Sequence, residues 1–187
     1  MGKIIKVNNK MQKGYSYELT EPIGKNYPPD FKPELTPIEM IKMGVFGGKY
    51  FNDVANSGEY PSSWFQGAKL SGIDKPTNPD LNYYGVLAGS SLKEWKENDW
   101  INEQDPRGFW EWYWRMYYGR RSPDDARQIA RWKNATRFIK SAETYFKKNG
   151  KHSLVLLQTA LQWGYDPRRL LKKSDIPKKS KSSIKNW

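Results

Sequence analysis

Residues 105–132, DPRGFWEWYWRMYYGRRSPDDARQIARW, constrain this chain more than any other stretch. They hold seven of its 21 Trp and Tyr residues and six of its nine arginines. The pattern reads as helix, tight turn, helix. Asp105 suits an N-cap, Pro106 the first helical position and Gly119 the C-cap. At about 100° per residue, Phe109, Trp110, Trp112, Tyr113, Trp114, Met116 and Tyr117 cover more than half the circumference. A helix this apolar is expected at the centre of a core, with Phe109, Trp112, Tyr113 and Met116 inside. The remaining stripe carries Arg107, Glu111, Arg115 and Tyr118, spaced so that Glu111 bridges two arginines at i−4 and i+4.

Ser122, Pro123, Asp124 and Asp125 open a second helix that the periodicity carries to Gly150. Ile129, Trp132, Ala135, Phe138, Ile139, Ala142, Tyr145 and Phe146 form its apolar face. Lys133, Arg137, Lys140, Lys147 and Lys148 fall opposite. Arg127 and Arg131 lie at the edge of the core, so they need either internal carboxylates or a polar pocket.

Charge is distributed unevenly. Residues 1–104 carry 12 Lys, no Arg and 13 acidic residues, a net −1. Residues 105–187 carry 11 Lys, 9 Arg and 7 acidic residues, a net +13. An excess confined to one half of a chain points to a polyanionic partner, DNA or RNA first. The expected phosphate contacts are Arg120, Arg121, Lys133, Arg137, Lys140, Lys148, Arg168 and Arg169. With no Cys, disulfides and thiolate metal sites are excluded, and the single His152 gives no basis for an ordinary zinc site. No metal or cofactor is expected. The absence of a long apolar run argues against a membrane span, and MGKIIKVNNK has no signal-peptide core, so a soluble intracellular protein is expected.

Along the chain, residues 1–34 read as an extended arm rich in Tyr, Gly and Pro. Thr36 and Glu39 make a capping box for a short helix ending at Gly44. Gly47-Gly48-Lys49 could offer backbone N–H groups to a phosphate, but the spacing is not that of a P-loop, and a tight turn between aromatics is favoured. Short helices are expected over 61–69 and from Ser91. Another is expected at 153–163, and Asp166-Pro167 starts a last one. Residues 172–187 hold six Lys and one Asp, a basic tail with too little apolar content to fold alone. The expected architecture is mainly α: one compact helical domain over 35–171, with the arm before it and the tail after it.

The strings around 35–50 (GVFGGKY at its end), LNYYGV at 81–86 and the long DPRG…WY…GRR…DD…RQI…RW pattern resemble a family of uncharacterised proteins from microbial, fungal and viral genomes. The resemblance runs from about residue 35 to 166. It implies one domain with variable ends and supplies no catalytic residues.

Three functions compete at this level. The first is a nucleic-acid-binding protein. The second is an enzyme acting on a nucleotide or nucleic acid, with Arg107, Glu111, Arg115, Arg127 and Arg131 as an anion pocket and Glu111, Asp124 or Asp125 as acid–base or metal groups. The third is a protein-interaction module using the tyrosine-rich arm.

Overall fold

A computed structural model describes residues 2–172. The expected lysine-rich tail lies outside the described residues except for its first, the exposed Lys172. The described part is compact and mainly helical, with one small sheet.

The sheet replaces much of the expected arm. β1 (Lys3–Asn8) pairs antiparallel with β2 (Lys13–Leu19), with Ile5 opposite Tyr17. Alternation does the sorting: Ile5, Val7 and Tyr17 enter the core while their neighbours along each strand face outward. Asn9 shapes the turn by accepting the N–H groups of Met11 and Gln12. The chain leaving β2 donates the N–H groups of Thr20 and Glu21 to Gly119 O. A Cβ at Gly119 would meet Glu21 O at 2.1 Å, and φ there is +123°, so only glycine fits this junction. Farther on, Phe31 inserts edge-on among Trp112, Tyr113 and Trp132, with ring centroids 5.0–5.2 Å away.

α1 (Pro37–Met43) forms as its capping box dictates, with Glu39 Oε2 accepting from the Thr36 N–H and Thr36 Oγ1 accepting from the Glu39 N–H. Gly47 and Gly48 make the tight turn. Gly47 N–H donates to Asn82 Oδ1 and Gly48 N–H to Val45 O, so neither amide is free for a phosphate. α2 (Leu92–Glu97) is capped by Ser91.

α3 (Phe109–Tyr118) is the centre of the molecule, and all its residues but Tyr117 are buried. It starts three residues later than its sequence suggests. Gly108, not Asp105, is the N-cap, because the Asp105 carboxylate is taken by two arginines. The second helix is likewise two: α4 (Asp125–Asn134) and α5 (Thr136–Asn149). Competing donors explain the break at Ala135. The Tyr165 hydroxyl donates to Trp132 O, and Thr136 Oγ1 donates to Lys133 O, loading the carbonyls that a continuous helix would use. Ser122 is not the N-cap; Asp124 is, while the Ser122 N–H and hydroxyl both donate to Asp125. α6 (Leu154–Gln162) is capped by Ser153 and packs on α5. A 3-10 turn at Pro167–Leu170 follows the Asp166 cap. Among the described residues, no helix is long and apolar enough to cross a membrane.

Candidate nucleic-acid interface

The arginines divide into two populations, and carboxylates decide which is which. Arg115 is fully buried. Its Nε donates to Glu59 Oε1 at 2.8 Å, Nη1 to Asp105 Oδ1 at 3.0 Å and Nη2 to Gln12 Oε1 at 2.9 Å. Glu111 Oε1 lies 3.4 Å from Nη2. Arg120 reaches the other oxygen of Asp105 at 2.6 Å. Arg107 donates to Asp53 at 2.7 Å and to Tyr50 O at 2.6 Å, and its backbone N–H donates to Glu111 Oε2. Three arginines therefore meet four carboxylates: Asp53, Glu59, Asp105 and Glu111. This network carries no surplus positive charge with which to attract an anion.

Protonation energetics follow from the same packing. Burial pushes Glu111 up to about 7, against Arg115 and with repulsion from Asp105. Burial also works on Asp53, but the Arg107 hydrogen bond and charge hold its carboxyl below the ordinary value. Burial raises the Tyr17 hydroxyl, and so does the charge of Glu59, to which Tyr17 donates.

Of the five residues expected to form an anion pocket, the structure brings Arg107, Glu111 and Arg115 together and leaves the other two on α4. Arg127 donates to Asp124 Oδ2 at 2.7 Å. Arg131 has no carboxylate within salt-bridge distance among the described residues; its Nη1 donates to Trp100 O and Gln128 Oε1. Its guanidinium lies 5.6 Å from the Trp163 ring centroid and 6.0 Å from that of Trp100. Burial and the neighbouring charge of Arg127 lower its proton affinity. The acids assigned to catalysis are engaged elsewhere. Asp124 holds Arg127 and Gln128, and Asp125 accepts from Ser122 and from Trp112 Nε1 at 2.9 Å. Among the described residues, no group of three or more His, Asp or Glu is placed to hold a metal.

The eight expected phosphate contacts also divide. Arg120 is buried in the network. Arg121 points its guanidinium at the carbonyls of Lys25, Asn26, Met116 and Arg120, tying the N-terminal segment to α3. Lys133 pairs with Asp30, Arg168 with Asp166 and Arg169 with Glu34, all at the surface. Arg137, Lys140 and Lys148 are different. They line one open groove along α5, with Ser141, Thr144 and Asn149, and none is salt-bridged to a carboxylate among the described residues.

Beside this groove lies a feature absent from the sequence reading, a cavity of about 360 Å³. Its wall includes Phe46, Trp95, Trp100, Phe109, Trp110 and Trp163, with Arg131 and Arg137 also lining it. Arg137 belongs to both features, so groove and cavity adjoin. The tryptophans come from α2, the loop after it, α3 and the end of α6, and no local spacing connects them.

Comparison of the chain with protein-family models, curated proteins and solved structures returned no match. The side chains themselves must carry the functional reading.

Proposed function

We propose that the protein binds nucleic acid, holding phosphates in the α5 groove on Arg137, Lys140 and Lys148. The observation that carries this reading is the lack of carboxylate partners for these three cations among the described residues, set against the full neutralisation of the arginines around α3. Unpaired cations in a row, flanked by hydroxyl and amide side chains, suit a phosphate backbone. The lysine-rich segment 172–187 adds sequence-independent affinity in the same sense. Such a partner places the protein in an intracellular, nucleic-acid-containing compartment. The extended N-terminal segment serves the fold in this reading, through Phe31 and the Arg121 contacts.

Salt titration tests it. With around five phosphates neutralised by groove and tail together, log K should fall against log salt with a slope of about −4.5 for a duplex or about −3.5 for a single strand. A flat response, or no binding at low salt, would reject the reading.

A further inference from the structure

The cavity beside the groove combines two features. Its wall is aromatic, with Trp100 still 39% exposed at the rim. Two cations, Arg131 and Arg137, line it without carboxylate partners among the described residues.

These features select a ligand chemistry. A hydrocarbon would fill the space but leave both arginines without a counter-charge. An inorganic anion would meet the arginines and waste the rings. A planar heterocycle joined to an anionic group satisfies both. The volume falls within the range of small-ligand sites, roughly 300–1,000 Å³. Because Arg137 lines both cavity and groove, a phosphate held there has its own base next to the opening.

We propose that the cavity receives one unpaired nucleobase of a single-stranded nucleic acid whose backbone follows the α5 groove. The base stacks on the indole wall, and Arg131 and Arg137 hold the flanking phosphates. A paired base cannot enter, so the site discriminates single strands from duplex. The groove part of this proposal rests on the phosphate reading above; the cavity part does not.

The test uses the full-length chain and three probes: a labelled single strand, an abasic strand of equal length, and free adenosine or cytidine monophosphate. The base-bearing strand is expected to bind about ten-fold more tightly than the abasic one, the scale of one base–aromatic stack. Trp100→Ala, at an exposed position, should abolish that preference. Lys140→Ala with Lys148→Ala should weaken both strands and spare the mononucleotide. Equal affinity for the two strands together with no mononucleotide binding overturns the cavity, even if salt-dependent abasic binding upholds the groove. Mononucleotide binding without any abasic-strand binding overturns the groove and upholds the cavity.

Discussion

The interior around α3 and the groove along α5 are built from the same kinds of side chain and do opposite things with them. Around α3, Arg107, Arg115 and Arg120 are surrounded by four carboxylates and closed from water. Along α5, Arg137, Lys140 and Lys148 face solvent with none among the described residues. The lesson is that a cluster of arginines is informative only once its counterions are counted. A desolvated guanidinium must be neutralised from within, so buried arginines mark structure. A cation left without a partner on an open surface retains its charge for something outside the molecule.

The largest effect should come from breaking the interior. Arg115→Ala would strand Glu59, Asp105 and Glu111 in the core, at about 3–5 kcal/mol. For a chain of this size that is roughly 6–20 °C in Tm, readable by thermal circular dichroism. If Tm does not move, the network is not what holds α3 in place.

Next comes the groove. Replacing Lys140 and Lys148 by Ala should lower the single-strand salt slope by roughly 1.4 in magnitude, two contacts at about 0.7 each, and leave Tm unchanged. Loss of folding in that variant would blur the contrast between the two regions.

A pH prediction sharpens the interior half. Glu111 is raised from its ordinary value to about 7 by burial. Between those two values the folded chain keeps a proton that the unfolded chain has lost. Stability from this group is therefore complete below about 4.5 and is lost as pH rises through about 7. Tm should fall between pH 5 and pH 8, and Glu111→Gln should flatten the fall. Asp53 and Asp166 are held below their ordinary values, so their contributions are already complete across this window.

The smallest effect belongs to Lys133. Its partner Asp30 is exposed, and a solvent-screened pair of this kind contributes little to stability. Lys133→Ala should hardly change Tm, and should change strand binding far less than the groove variants do.

What could be read from the sequence was what local chemistry controls. The capping box at Thr36 and Glu39, the Ser91, Ser153 and Asp166 caps and the burial of α3 all follow from side chains acting within a turn or two. The bridging of Arg107 and Arg115 by Glu111 was legible for the same reason, since helical spacing places them side by side. The remaining counterions were not, because Asp53 and Glu59 come from a loop some fifty residues away in sequence. Asp105 has the sequence context of a cap; only the fold brings Arg115 and Arg120 to it. The hairpin has a weak signal, the alternation of Ile5, Val7 and Tyr17, which the Gly- and Pro-rich residues that follow mask in the composition of that end. The aromatic cavity had no local signal at all, since its tryptophans meet only in the folded chain.

The division of cations into internal and external sets is tested most directly by one salt series. Strand binding of Arg137→Ala/Lys140→Ala/Lys148→Ala should be measured from low to moderate salt beside the unchanged chain, with Tm recorded for both. The account predicts a slope shallower by about 2, from three lost single-strand contacts at about 0.7 each, with the melting temperature preserved. An unchanged slope in a folded variant would contradict it, and would show that the surface row of cations is not where the polyanion binds.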